Sequence, residues 1–440
     1  MPVSSIPHSF PRSADLPRVL LIAEHASYRS EGESALPLRY FQSLLERNIP
    51  VWLITHERVR SELTSLLPHA ANRMLFVPDT LIQRWMWALS QQLPTWVSSY
   101  TTRLILSLLT QLAQKRLAQQ LIVQCGIQII HQPTPTSPYF PSLIFGLNIP
   151  VVMGPMHVSV DRPPGFDSVR ERWLAKLSGL RDMGVQLANR ISPGKRHAAA
   201  LLVSNERTRQ ALPVEPHSQS VTVLRTGLDL SIWHPQPSVS SPSLAHTVPT
   251  FVFVGRLTEC KAVDLLLYAF DQSSRKTPMS LTIVGDGPQS QALRNLAQHQ
   301  GRLGLREGEA GKVFFAGWQS QTTCASILQR SHSLVQPGLR EGQGSAMLEA
   351  LACGLPVIAT AWGVALDHLD HECAVLIPPT TRPELIDRLA QAMRTLASDS
   401  ALRRRMGTAG QAKVRRDFDW QQTLHSTLDL YRRLIGQRAA

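Results

Sequence analysis

The sequence contains no apolar run long enough to cross a lipid bilayer. Runs such as 104–109 stay far below the roughly 18 residues that a membrane-spanning helix needs. The N-terminal stretch lacks the apolar centre of a secretory signal peptide, because Ser4, Ser5, His8 and Arg12 interrupt it. These absences exclude an integral membrane protein and predict a chain that is not secreted.

Cysteine is also scarce, and no two cysteines form a Cys-x-x-Cys pair. A disulfide framework or a structural zinc site is therefore not expected, and a reducing cytoplasm is the expected location. The five residues are Cys125, Cys260, Cys324, Cys353 and Cys373.

Acidic residues are outnumbered, with 32 Asp and Glu against 45 Lys and Arg, so the net charge is +13. Such a charge predicts an anionic partner, which is a nucleic acid, a phosphorylated substrate or an acidic membrane face. Composition does not choose among the three. The length of 440 residues, with 43% hydrophobic and 18% charged residues, predicts a globular chain of two or three domains.

Short apolar runs alternate with helical patterns along most of the chain, which predicts parallel sheets covered by helices on both faces. A loose Ser- and Pro-rich arm at 1–17 comes first, and the first alternating series then fills 18–228. Its predicted strands are Arg18–Ala23, Val51–Thr55, Met74–Val77, Ile127–Ile130, Val151–Met153, Leu201–Val203 and Val221–Leu224.

A stretch rich in Pro and Ser at 229–249 breaks this alternation and predicts an interdomain linker. A second α/β series occupies 250–417. We therefore expect two doubly wound domains facing a cleft, with the ligand outside the carboxyl ends of the strands. The predicted strands of the second domain are Phe251–Gly255, Leu281–Gly285, Val313–Ala316, Leu334–Gln336, Val357–Thr360 and Val375–Ile377.

The closing segment at 418–440 predicts an amphipathic helix. Its apolar residues lie on one face, so the helix should dock on another part of the protein. These residues are Leu424, Leu428, Tyr431 and Leu434.

The most informative motif spans 336–360, where a strand, a glycine-broken loop, a helix and a new strand follow one another. Gly342 and Gly344 let the backbone approach a ligand. Free N–H groups where the helix begins, around Ser345, favour an anion such as a diphosphate. Glu341 in the loop and Glu349 in the helix can each accept hydrogen bonds from sugar hydroxyls. Glu349 alone would be an ordinary solvated carboxylate, but the combination makes that interpretation weaker.

Two further loops follow predicted strands of the second domain. Arg256 and Lys261 come after the strand at 251–255, where both can neutralise a pyrophosphate. Basic residues after a strand are common at surfaces, so this pair alone is a weak signal. The turn Gly285-Asp286-Gly-Pro follows the next strand, without the complete Gly-x-Gly-x-x-Gly fingerprint of a dehydrogenase.

Together these blocks resemble the C-terminal domain of the retaining GT-B glycosyltransferases of family 4, also called glycosyl transferases group 1. The Glu-x7-Glu element is Glu341 to Glu349, and the Arg-x4-Lys element is Arg256 to Lys261. The resemblance covers about 250–380, and the closing helix matches the one that crosses back to the N-terminal domain in this family. It implies the GT-B architecture and transfer of a hexose-type sugar, with retention, from a nucleoside diphosphate sugar to a hydroxyl acceptor. The resemblance further implies that the acceptor is a glycan or a lipid-linked glycan and that the reaction belongs to polysaccharide biosynthesis.

The resemblance also implies roles for individual residues. Arg256 and Lys261 would hold the donor diphosphate, and Glu349 the nucleotide ribose. Glu341 would contact the transferred sugar. The remaining donor contacts would come from Gly342, Gly344, Ser345, Gly285, Asp286 and Gly32, and His157 would point at the reacting sugar. For His157, a structural role in its loop is nearly as well supported.

No Asp-x-Asp element stands in a loop that follows a strand, so the expected transfer needs no metal and no other cofactor. Three residues depart from the family pattern: Ala262 and Val364 stand where Gly is usual, and Gln343 where an aromatic residue is common. These departures favour the alternative of an inactive GT-B scaffold that binds nucleotide or a partner. The intact acidic and basic pairs argue against it.

Residues 79–120 combine Trp85, Trp87 and Trp96 with basic residues. One interpretation is a surface that binds the inner face of an anionic membrane and reaches a lipid-linked acceptor. The other is a pair of ordinary domain helices with the Trp side chains in the core. No recognised nucleic-acid module accompanies the basic residues near 403–416, so nucleic acid is not an expected partner.

Overall fold

The computed structural model describes residues 16–28, 34–80, 102–158, 160–166, 178–213, 221–235 and 248–439. Backbone contacts divide the chain into two compact units. The first contains Met1–Val158, Leu177–Arg225 and Thr423–Ala440, and the second contains Ser159–Lys176 and Thr226–Gln422. The domain limits given in the sequence analysis stay predictions.

The first unit is built on a parallel sheet of seven strands in the order β3-β2-β1-β4-β5-β6-β7. Most of its residues are apolar and buried, as expected for strands covered on both faces. The strands are β1 (Val19–Ile22), β2 (Val51–His56), β3 (Met74–Val77), β4 (Ile129–Gln132), β5 (Val151–Met156), β6 (Ala200–Val203) and β7 (Val221–Val223). Its described helices are α1 (Ala35–Glu46), α2 (Arg60–Leu66), α3 (Thr102–Cys125), α4 (Ser178–Ile191) and α5 (Glu206–Gln210).

The second unit repeats this topology with six parallel strands in the order β10-β9-β8-β11-β12-β13. The strands are β8 (Thr250–Val254), β9 (Ser280–Val284), β10 (Val313–Gly317), β11 (Ser333–Gln336), β12 (Val357–Thr360) and β13 (Ala374–Ile377). The helices are α6 (Val263–Ser274), α7 (Ser290–His299), α8 (Gln321–Gln329), α9 (Ser345–Ala352), α10 (Val364–His368), α11 (Arg382–Ser398), α12 (Ser400–Asp417) and α13 (Trp420–Ala439).

The sequence predicted the fold class correctly. Two doubly wound sheets are present, and the predicted strands Met74–Val77 and Val357–Thr360 match β3 and β12 residue for residue. Helix α13 begins in the second unit and belongs to the first from Thr423 onward, so the closing helix crosses back as predicted. No helix within the described residues has the length and hydropathy to span a bilayer.

Helix α13 is fixed to the first sheet by a buried polar contact. Tyr431 Oη lies 2.5 Å from His131 Nδ1, and His131 Nε2 lies 2.6 Å from the carbonyl oxygen of Gly154. A carbonyl only accepts, so Nε2 carries the proton and Nδ1 accepts from the tyrosine hydroxyl. Both side chains are fully buried, and burial lowers the pKa of His131 to about 4.

We predict that His131 makes the protein less stable in mild acid. Unfolded His131 binds a proton near pH 6.5 while the folded residue stays neutral to about pH 4, so stability falls as the pH drops through this window. The loss attributable to His131 is about 3 kcal/mol. Urea unfolding of wild type and His131→Gln across the window measures it. If both proteins lose stability equally, the assignment to His131 is wrong.

Candidate functional site

The residues singled out in the second domain gather at the carboxyl ends of β8, β9, β11 and β12. Strand β8 is paired with β9 on one side and with β11 on the other. The strand order reverses between β8 and β11, which is where open α/β sheets bind their ligands. The topology therefore brings the three motifs to one edge of one sheet.

The loops after β8 and β9 contact each other directly through their main-chain atoms. Gly285 has a φ of +129°, and a Cβ atom there would lie 2.0 Å from the carbonyl oxygen of Gly255. The amide of Leu257 donates to the carbonyl oxygen of Asp286 at 2.9 Å. Only glycine fits at 285, so its primary role in this structure is close packing of the two loops.

Lys261 is presented by a single turn of 3₁₀ helix, Glu259–Lys261, after β8. Its ammonium group forms an ion pair with Glu341 Oε2 on the loop after β11. The two side chains are 19% and 7% exposed, so the pair is largely desolvated. The basic and acidic motifs, which are 80 positions apart, therefore meet in one contact.

Ala262, which stands where the family usually has Gly, takes a left-handed conformation with φ of +50°. It is 2% exposed and packs in the core of the second unit. The turn therefore keeps the conformation that glycine adopts freely, at a strain of about 1–2 kcal/mol for an L-residue.

The loop between β11 and α9 is docked on the Lys261 turn. The amide of Leu339 donates to the carbonyl oxygen of Cys260 at 2.9 Å. The Glu341 side chain folds over Gly338, where a Cβ atom would lie 2.0 Å from Glu341 Oε1. Gly338 thus makes room for the carboxylate that pairs with Lys261.

Four buried polar atoms at this edge have no hydrogen-bond partner among the described residues. They are Gln336 Oε1, Glu341 Oε1, Gln343 Nε2 and Thr360 Oγ1. Unpaired buried groups are costly, so they point to a bound ligand or ordered water. Sequence reasoning did not assign Gln336 or Thr360 a role. The available signal was a polar residue at the end of an otherwise apolar strand.

Gly344, whose φ is +67°, is the N-cap residue of helix α9, and no side chain caps the first turn of the helix. The carbonyl oxygen of Gln343 accepts a hydrogen bond from His368 Nε2 at 2.9 Å. Val364 is 9% exposed and packs in the core cluster that contains Met347 of α9. This side chain, a departure from the family pattern, therefore packs on the helix that would bind phosphate.

The other predicted donor residues lie around this edge. Hydrogen bonds from the Ser290 hydroxyl and the Gly287 amide lower the pKa of Asp286, which therefore remains ionised at neutral pH. Glu349 lies within α9, and its charge adds to the burial that raises the pKa of Cys353 to about 12. Arg256 is exposed immediately after β8. Gly342 and Ser345 belong to the loop and the first position of α9, and both are exposed.

The remaining two predicted residues are not in the second unit. His157 follows β5 in the first unit, where its amide donates to the carbonyl oxygen of Thr136 at 2.8 Å and the residue is 8% exposed. Gly32, Trp85, Trp87 and Trp96 lie outside the described residues.

A charged cluster in the first unit was missed by sequence reasoning. Asp79 Oδ1 lies 3.4 Å from His56 Nε2 and 2.8 Å from Arg58 Nη2. His56 ends β2 and Asp79 lies just beyond β3, so both are at the carboxyl edge of the first sheet. Burial and Arg58 lower the pKa of His56. The signal was a pair of ionisable residues at the ends of neighbouring strands.

Comparison with known proteins finds similarity over the part of the chain that carries this site. Residues 239–413 match the family model described as Glycosyl transferases group 1. D-inositol 3-phosphate glycosyltransferase of a Nocardioides species is 30% identical over 253 residues, which are 54% of this chain and 54% of that protein. The chain thus spans about half the length of the curated relatives it matches.

Solved structures support the architecture. Sucrose-phosphate synthase of Thermosynechococcus elongatus superposes with a TM-score of 0.63 at 18% identity, covering 96% of this chain and 100% of that one. Anabaena HepE in complex with UDP-glucose has a TM-score of 0.62 at 16% identity, covering 93% and 99%. These likenesses confirm the predicted GT-B fold.

We predict that Gly285→Ala destabilises the second unit far more than Gly301→Ala. Both positions have a left-handed φ, but only the methyl group at 285 meets backbone, whereas nothing lies within 4 Å at 301. The shared strain is about 1 kcal/mol, and the clash adds at least about 2 kcal/mol. Chemical unfolding of the two variants measures the difference. Equal losses would contradict the close approach of the two loops.

Proposed function

We propose that the protein is a retaining, metal-independent glycosyltransferase that uses a nucleoside diphosphate sugar. The ion pair of Lys261 and Glu341 at the switch point of the second sheet is the observation that carries this proposal. Lys261 offers a cation to the phosphate groups of such a donor, and Glu341 offers a carboxylate to its sugar hydroxyls. The two side chains are in contact, as the two halves of the donor would require. The UDP-glucose complex of the HepE structure makes a UDP-sugar the first donor to test.

In the proposed complex, Lys261 and Arg256 neutralise the diphosphate, and the start of α9 supplies backbone N–H groups to it. Glu349 accepts hydrogen bonds from the ribose, and Gly285 and Asp286 lie near the nucleotide. These groups stabilise the negative charge that develops on the leaving diphosphate, so preorganised electrostatics do the work that a metal ion does elsewhere.

Glu341 would change partner when the donor binds. In the ligand-free protein its Oε2 contacts Lys261, and its Oε1 has no partner among the described residues. The incoming phosphate takes over Lys261, and the sugar hydroxyls occupy Glu341. The donor therefore replaces a desolvated ion pair with contacts to both of its ends, and no buried charge is left unpaired.

The reaction breaks the bond between the anomeric carbon and the diphosphate oxygen. The acceptor oxygen forms the new bond on the same face, and its proton passes to the leaving phosphate. His157 would contact the transferred sugar. The acceptor is a glycan or a lipid-linked glycan, and the charged cluster of His56, Arg58 and Asp79 marks a polar edge in the acceptor-side domain.

Donor binding should depend on Lys261 and Glu349. We expect Lys261→Ala to weaken UDP binding at least tenfold, because a phosphate loses a charged hydrogen bond. Glu349→Ala should weaken it less. Lys276→Ala, an exposed lysine of the same unit, is the matched control. Calorimetry with UDP, GDP, ADP and their sugar conjugates measures the affinities, and unchanged binding in Lys261→Ala would remove the assignment.

Turnover should depend on Glu341 and His157. Glu341→Gln keeps the shape of the side chain but removes its charge, so we expect kcat to fall about tenfold or more at saturating donor. His157→Ala should lower kcat while UDP affinity is retained. Sugar transfer and donor hydrolysis, measured side by side, separate the two steps. Wild-type rates in His157→Ala would assign that residue a structural role, and tight UDP binding without transfer in the wild type would favour the inactive scaffold.

A further inference from the structure

The segment 160–166 follows β5 of the first sheet in sequence, but it packs on the second unit. Backbone contacts assign Ser159–Lys176 to that unit. Phe166 is buried in a core cluster of the second unit, which also contains Leu257 from the loop after β8 and Leu339 from the loop after β11. The segment is therefore anchored in the same core as the two loops that meet at the candidate site.

Two contacts hold the start of this segment on the loop after β12. Trp362 Nε1 donates to the carbonyl oxygen of Asp161 at 2.7 Å. A Cβ atom at Gly363 would lie 3.6 Å from Val160 Cβ, so the two backbones run close together. The main chain at 160–161 therefore lies just beyond the carboxyl end of β12.

The side chain of Arg162 reaches from there to the turn after β8. Its Nη1 atom lies 3.1 Å from Glu259 Oε1, in the turn that also presents Lys261. Strand β11 lies between β8 and β12, and two strands with a third between them are about 10 Å apart. The Arg162 side chain therefore crosses the carboxyl end of β11, where the loop that carries Glu341 begins.

The two partners of this ion pair differ in burial. The Arg162 side chain is 9% exposed, whereas that of Glu259 is 68% exposed. A desolvated guanidinium group needs a nearby anion, and a carboxylate that lies mostly in water compensates it only weakly. Asp161, the next acid along the chain, is also exposed. The site thus contains a buried cation whose carboxylate partner is easily exchanged for another anion.

The surroundings of the Arg162 side chain are suited to a phosphate group. Lys261 approaches from the turn after β8, so two cations from distant parts of the sequence lie around the end of β11. An arginine fork can bind a phosphate through two hydrogen bonds, and a lysine adds a compact charge. Gln336 Oε1 and Thr360 Oγ1, at the ends of β11 and β12, are buried without a hydrogen-bond partner among the described residues. Such atoms point to a polar ligand or water at this place.

We propose that Arg162 binds the phosphate of the donor that carries the sugar, and that Glu259 holds the guanidinium group in place until the donor binds. This inference rests on the proposed function, to which it adds a cation from outside the predicted donor domain at 250–417. The sugar-bearing phosphate is assigned because Gly285 and Asp286, the predicted nucleotide contacts, follow β9, on the other side of β8 from β11. Phosphate oxygens then replace the Glu259 carboxylate, whose release costs little because it is mostly hydrated already.

The test is calorimetry of the full chain with UDP, GDP and ADP, each compared with its monophosphate. Arg162→Met keeps much of the side-chain stem but removes the charge, so we expect diphosphate binding to weaken about tenfold or more. Monophosphate binding should change less than about threefold, because a monophosphate lacks the group that Arg162 contacts. Arg162→Lys should restore part of the affinity, because it returns the charge without the fork.

Glu259→Gln distinguishes donor binding from a purely structural role of Arg162. If Arg162 contacts the donor, loss of the competing carboxylate should strengthen diphosphate binding about threefold, as expected for a weak, exposed ion-pair partner. If Arg162 only ties the segment to the turn, both variants should weaken binding equally. Arg275→Met is the matched control, because Arg275 forms an ion pair with Asp271 in the same unit and lies between α6 and β9, at the amino edge of the sheet.

Two results would overturn this proposal and leave the proposed function intact, provided that Lys261→Ala still weakens binding. One is wild-type diphosphate affinity in Arg162→Met, and the other is an equal loss in Arg162→Met and Glu259→Gln. Failure of the wild type to bind any of the three diphosphates would overturn both proposals. Unfolding temperatures of all variants are measured in parallel, so that a general loss of stability is distinguished from a loss of binding.

Discussion

The site in the second unit depends on the ion pair of Lys261 and Glu341. Lys261 comes from the turn after β8 and Glu341 from the loop after β11, the two strands between which the sheet reverses its order. The pair is largely desolvated, and removing one partner of such a pair leaves a buried charge without compensation. It therefore holds the two loops in register at the candidate site.

The surrounding backbone is arranged to permit this contact. Gly338 leaves room for the Glu341 carboxylate, and Gly285 lets the β9 loop rest on Gly255. Leu339 is hydrogen-bonded to the turn that carries Lys261. The geometry of this candidate site is thus set by backbone contacts among three loops.

Much of the fold and of the candidate site could be predicted from the sequence. The features that could not be predicted have physical causes. Strands such as β3 and β12 were predicted to the residue because buried parallel strands are continuous apolar runs. Lys261 and Glu341 were predicted as site residues from their motifs, but the contact between them depends on the order of the strands. Gln336 and Thr360 were missed because a polar residue at a strand end is common, and only its burial makes it informative.

The orientation of helix α3 could not have been predicted from composition. Helix α3 is apolar enough to suggest a core position, and the sequence does not tell which face meets the sheet. In the structure Gln111 and Gln114 face inward: Gln111 accepts a hydrogen bond from the amide of Leu143, and Gln114 donates one to the carbonyl oxygen of Ala23. A helix whose polar face makes hydrogen bonds inside the protein has its apolar face on the opposite side.

The contact of Tyr431 with His131 has a consequence for the order of folding during synthesis. The first unit includes Thr423–Ala440, which leave the ribosome after all of the second unit. Until then His131 Nδ1 lacks the Tyr431 hydroxyl from which it accepts a hydrogen bond. The unit whose synthesis begins first is therefore completed last. Chaperones and proteases would meet this unit in its incomplete form.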